Sequence, residues 1–282
     1  MEYLLLTAAV VFAAGQNVAK KSYQHKTERS TMFFFPLVAS LTALLLFVLL
    51  SKFQLCFTLD LLPYSIGFAV SYACALCSSV LAMKYGSMAI TLLASSYSLV
   101  IPTLYGVTVL RETMDALMIV GFVALLISLF LIRKPAKHEK LDGKFFLCWI
   151  LSFFGNGFCS VAQKMQQIAS EGKQKSEFMI LSLGLCVLFL LIGVLAKREK
   201  PLSPRTEWPF GILCGACNGL MNYSVLVLTG LLPNVILYPS ISAGGVVIGF
   251  LIATLGYKER LCTRQYAGYA MGLISILLLS VF

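Results

Sequence analysis

Charged residues in this chain fall in clumps, separated by nine uncharged windows: 3–19, 30–51, 61–83, 85–110, 116–132, 145–163, 178–196, 208–257 and 265–282. A hydrocarbon core about 30 Å thick is crossed by about 20 helical residues, and about 17 suffice. As a single helix the 208–257 window would run to roughly 75 Å, so it must hold two crossings. The break belongs at Leu232-Pro233-Asn234, because proline cannot continue a helix. The windows therefore predict an all-α integral membrane protein with ten transmembrane helices, over 3–21, 31–51, 61–83, 88–110, 115–132, 145–166, 178–196, 208–229, 234–256 and 265–282. A transmembrane β-barrel needs short alternating strands, and these runs are long and continuously apolar. Only 12% of residues are charged and mean hydropathy is +0.88, whereas soluble domains carry about 25% charge. The net charge of +10 would suggest nucleic acid in a soluble protein. Here it sits in short loops, so the expected partners are the lipid bilayer and a small-molecule substrate, with no nucleic acid. The first window lacks a basic leader and is followed by Lys20-Lys21, which reads as a retained helix and not a cleaved signal.

The most polar stretch, 133–143, divides the spans five and five. The flanking segments repeat weakly. Gly121-Phe-Val-Ala-Leu-Leu-Ile-Ser-Leu aligns with Gly268-Tyr-Ala-Met-Gly-Leu-Ile-Ser-Ile at a spacing of 147, which also puts Ser95 on Ser242 and Glu112 on Glu259. Val18-Ala-Lys-Lys21 aligns with Val161-Ala-Gln-Lys164 at a spacing of 143. The division expected is a first five-helix repeat over 1–132, a linker over 133–143 and a second five-helix repeat over 144–282. An odd number of crossings inverts the second copy, and inverted repeats are the hallmark of many secondary transporters.

Two turns near the ends of the fourth and ninth spans read Tyr105-Gly-Val-Thr-Val-Leu-Arg-Glu112 and Ile252-Ala-Thr-Leu-Gly-Tyr-Lys-Glu259. Two five-helix units with these glutamates resemble the drug/metabolite transporter superfamily, and its EamA-type branch most. The resemblance covers essentially the whole chain. It implies export or exchange of a small metabolite through a central cavity, with the fifth and tenth helices at the side. Its motifs are loose and name no substrate. Lys and Arg counted on alternate sides total 17 and 5. The positive-inside rule then puts both termini outside the plasma membrane, whereas the resemblance implies both inside.

Polar residues within spans usually face a bundle interior or a wet cavity. Asn17 and Lys20 on the first helix, and Asn156 and Lys164 on the sixth, are such residues. The lysines meet an anionic cargo or else snorkel to the interface, and the asparagines bind cargo or else bridge helices. Tyr72, Tyr97, Asn222, Tyr238 and Ser242 complete the candidate substrate-binding set, with Lys20 and Lys164 near the cavity mouths. Gly121, Gly268 and Gly272 are small residues expected to bring the fifth and tenth helices, or two protomers, into close contact; a monomer and a homodimer both fit. Cys74-Ala-Leu-Cys77 and Cys214-Gly-Ala-Cys217 lie inside apolar helices, away from the settings that activate thiols, and read as packing residues. No acidic residue lies deep in a span, and no nucleotide-binding motif or His-rich ligand set occurs. No metal, cofactor or ATP is therefore expected. Hydroxyls, amides and lysines bind solutes but catalyse poorly, so an enzyme fits less well than a secondary transporter of a small polar metabolite such as an amino acid, working by alternating access. A flippase for a lipid-linked carrier is the alternative.

Overall fold

The structure is a computed structural model, and it describes residues 2–27, 31–51, 57–98, 100–109, 111, 116–132, 143–171, 173–200, 203, 207–228, 234–258 and 261–280. The linker and both glutamates of the two turn motifs, Glu112 and Glu259, lie outside these residues apart from Gly143. Every regular element among the described residues is helical: α1 (Glu2–Lys26), α2 (Phe34–Leu50), α3 (Leu62–Tyr85), α4 (Met88–Tyr97), α5 (Val100–Thr108), α6 (Ala116–Ile132), α7 (Gly143–Ala169), α8 (Lys175–Lys197), α9 (Trp208–Leu228), α10 (Asn234–Leu251) and α11 (Thr263–Ser280), with short 3-10 and π turns before α3 and after α10.

The helices follow the uncharged windows, and the 208–257 window divides between Leu228 and Asn234 beside Pro233. The fourth window differs, because it is not one helix. Pro102 has no N–H to offer the carbonyl of Ser98. Ser98 keeps right-handed helical dihedrals, Ile101 N–H bonds its carbonyl at 3.1 Å in place of the missing bond, and α5 is described from Val100. Among the described residues, five helical stretches are long and apolar enough to cross a membrane: Glu2–Lys26, Leu59–Tyr85, Met88–Gly106, Gly143–Ala169 and Lys175–Lys197.

The core is mainly apolar, but large apolar side chains also cover the exterior and several serines lie fully inside. Leu126 and Leu195 are 64% and 66% exposed, while Ser40, Ser65, Ser152 and Ser182 are fully buried. Water would not tolerate that exterior over so many helices. Packing is close where glycine permits it. A Cβ on Gly155 of α7 would stand 2.8 Å from the backbone nitrogen of Ala75 on α3, so only glycine lets these two helices approach along their length.

The closest packed pairs include α1 with α9, α3 with α7, α2 with α8 and α9, α3 with α8, α1 with α10, α7 with α4 and α5, α4 with α10, and α6 with α11; α10 also packs on α11 and α1 on α3, and these two have no exchanged partner of similar extent among the described residues. Reading each window five places on exchanges α1–α9 with α7–α3, α2–α9 with α8–α3, and α1–α10 with α7–α4/α5. The pairs α2–α8, α4–α10 and α6–α11 exchange with themselves. Hydrogen bonds between α6 and α11 follow the same rule at the 147 spacing: Ser128 Oγ donates to the Gly268 carbonyl at 2.6 Å, and Ser275 Oγ to the Gly121 carbonyl at 2.8 Å.

Candidate functional site

Between the helices lies a cavity of about 310 Å³ whose walls come from α1, α3, α4, α7, α9 and α10. An apolar floor that includes Phe68, Leu76 and Leu92 carries a set of amides, hydroxyls and one ammonium. Helix geometry places them. Asn17 lies three residues before Lys20, and Asn218 four before Asn222, so each pair shares a face.

Three asparagines use one device. Asn17, Asn156 and Asn222 each donate from Nδ2 to the carbonyl four residues earlier, at 2.9, 2.8 and 2.9 Å. All three residues line the cavity, and that bond leaves each amide oxygen as an acceptor with no partner among the described residues. A second network crosses between helices. Tyr72 Oη donates to Asn218 Oδ1 at 2.8 Å, Asn218 Nδ2 donates to Gln16 Oε1 at 2.9 Å, and Gln16 Nε2 points at Met221 Sδ at 3.5 Å. Gln16 and Asn218 thus hold Tyr72 and α9 in place, a role not assigned to them from the sequence. The i, i+4 spacing of Asn218 and Asn222 was the available signal.

Lys20 stands in the cavity wall and is 7% exposed. It is therefore buried within the protein and does not sit at the mouth. Two expected members of the set lie elsewhere. Tyr97 is 1% exposed and turned away from the cavity; its hydroxyl bonds Ser128 of α6 in a short contact, over Gly272 of α11. α4 instead presents Ser95 and Ser96 to the cavity. Lys164 is half-buried and does not line the cavity, whereas its neighbour Gln163 does. One residue turns a helix by about 100°, which is enough to take the lysine off the wall. Tyr238 and Ser242 belong to α10, and their side chains lie outside the described residues.

The two ends of the cavity differ. At the C-terminal end of α1, Ser22 Oγ and Tyr257 Oη lie 2.6 Å apart, and Tyr257 also donates to the Val18 carbonyl at 3.4 Å. A π turn over Ile252–Gly256, closed by Tyr257 N–H on the Ile252 carbonyl at 3.1 Å, delivers this tyrosine. Beside it the Tyr23 ring stacks on Phe35 with centroids 4.3 Å apart. Towards the α7–α8 turn the cavity continues into a polar recess that shares Gln163 and Asn222 with it and adds Gln167 and Lys175.

The eight described cysteines carry no disulfide, and no group of three His, Cys, Asp or Glu stands within reach of one metal ion among the described residues. No family model matches the chain, and no curated protein matches it in sequence. A solved crystal structure of a protein is similar across almost the whole length: it has a TM-score of 0.66 at 13% identity, over 98% of this chain and 95% of that one. Likeness at that identity shows the fold alone.

Proposed function

We propose that the chain is a secondary transporter of a small polar metabolite, built as two inverted five-helix repeats in the plasma membrane and related to the drug/metabolite transporters. The observation that carries this reading is the cavity. Polar side chains from both halves converge on one cavity inside a helical protein whose exterior is apolar. Pockets that orient small ligands have this make-up, with apolar walls and a few placed polar groups. The exchange of helix contacts under a five-window shift, and the reciprocal Ser128–Gly268 and Ser275–Gly121 bonds, support two equivalent halves related by a two-fold axis. A two-fold of this kind gives two states of nearly equal energy, open to opposite sides, as alternating access requires.

In the conformation described, the Ser22–Tyr257 clasp ties the C-terminal end of α1 to the turn after α10, and the recess at the α7–α8 turn adjoins the cavity. The count of basic residues favours the cytoplasm for the clasped end, whereas the family resemblance favours the outside. Cells with and without the protein, compared by untargeted profiling of exported metabolites, test the reading. A difference confined to one or a few small polar compounds supports it, and identical profiles count against it.

A further inference from the structure

We propose that Lys20 is a single-anion anchor and that the solute it holds is a compact organic monocarboxylate. The proposal rests on the transporter reading of this cavity. Lys20 is more than nine-tenths buried and lines the cavity; its electrostatic neighbour is the buried thiol of Cys214, and it makes no hydrogen bond or ion pair among the described residues. A buried ammonium without a counter-charge costs several kcal/mol, and such a site is stable when something supplies the charge. The wall helices do not supply it: residues 3–27, 61–111, 143–170 and 208–258 contain no Asp or Glu, and the one acidic residue of a wall helix, Glu2, begins α1 eighteen residues before Lys20. The counter-charge therefore comes with the cargo.

The number of charges follows from the repeat. The position equivalent to Lys20 at the 143 spacing is Gln163, which also lines the cavity. One half thus offers an ammonium and the other a neutral amide. A monoanion balances this pair, whereas a phosphate dianion would leave one charge facing amides. A cationic or zwitterionic solute would find no carboxylate for its amine. The free oxygens of Asn17, Asn156 and Asn222 suit hydroxyl or amide hydrogens on the neutral remainder of the solute. Lys175 in the recess adds positive potential along the approach.

The test uses the purified full chain in detergent and reads its thermal midpoint against a panel of two- to six-carbon monocarboxylates, plain and hydroxylated. The matching carboxamides and inorganic phosphate form the other two arms. At least one acid should raise the wild-type midpoint with saturation while its amide and phosphate do not. Lys20→Gln should weaken that response by about tenfold or more, as loss of a charged hydrogen bond implies. Lys20→Arg should keep it, and Lys20→Gln combined with Gln163→Lys should restore it. The proposal is overturned if no acid acts, if amides or phosphate act as well as acids, or if Lys20→Gln responds like wild type. The acid-against-amide comparison on wild type decides even where a variant does not fold. Binding in detergent needs no transport. Flux of neutral solutes with a silent acid panel would sink the anchor alone, and acid binding without flux would sink the transporter reading alone.

Discussion

At the scale of single residues, the asparagines and one glycine separate binding from packing. Asn17 and Asn222 already satisfy the helix carbonyl behind them, so truncation removes a cavity acceptor without orphaning a neighbour outside the site. Asn17→Ala and Asn222→Ala should each lower flux by about two- to tenfold, the range for one neutral hydrogen bond of about 0.5–1.5 kcal/mol, with membrane insertion unchanged. Wild-type flux in both variants would remove these residues from the site. Gly272 is different, because a side chain there collides with the Tyr97 hydroxyl and comes within 3.0 Å of Ser128 Oγ. Gly272→Leu should reduce folded yield, consistent with an overpacking cost of about 1–3 kcal/mol. Gly184→Ala is the control, since nothing stands within 4 Å of a Cβ at that position. Equal yields from the two variants would contradict the contact. The meeting of the Gly121, Gly268 and Gly272 helices was legible in the sequence, since small residues in apolar helices have few other uses. The direction of Tyr97 was not. Inside an apolar span, a tyrosine turned towards a cavity and one turned towards a neighbouring serine have the same sequence surroundings. Lys20 and Lys164 show the same limit, because a one-residue offset within a weak repeat decides which side chain reaches the wall.

At the scale of elements, two contacts tie helix ends across the chain. The Glu199 carboxylate accepts N–H groups from Met32, Phe33 and Phe34 at 2.9, 3.0 and 2.9 Å, so a residue two places past α8 caps the start of α2. Helix N-termini carry unpaired N–H groups and a positive dipole end. Glu199→Ala should lower the thermal midpoint in detergent, for a loss of about 1–3 kcal/mol, while Glu199→Asp retains part of it. An unchanged midpoint in the alanine variant would show that the cap contributes little. The Ser22–Tyr257 clasp makes a separate prediction. Tyr257→Phe removes both of its hydrogen bonds and keeps the ring, so peptides spanning Val18–Lys26 should exchange amide hydrogens faster than in wild type. Identical exchange would mean that the clasp does not hold this end. Helix positions were readable because hydrocarbon thickness sets window length. The π turn that aims Tyr257 was not, since nothing in Ile252-Ala-Thr-Leu-Gly256 distinguishes one extra residue per turn from ordinary helix. The break between α4 and α5 had its signal in Pro102.

At the scale of the whole molecule, orientation and alternating access belong together. The 17-to-5 excess of basic residues predicts both termini outside, so alkaline phosphatase fused at the C-terminus should be active and green fluorescent protein at that site dark. The reverse pattern would place the clasped end outside and favour the orientation that the family resemblance implies. The central claim is that the cavity carries a small polar solute from one side to the other. Counterflow in proteoliposomes tests it most directly: vesicles holding purified protein are preloaded with a pooled extract of small polar metabolites, and isotope-labelled pool is added outside. Saturable accumulation of one or a few labelled solutes, absent from protein-free vesicles and reduced in an Asn17→Ala/Asn222→Ala variant, is the result predicted. Accumulation no greater than in protein-free vesicles, or movement of labelled lipid alone, would contradict it.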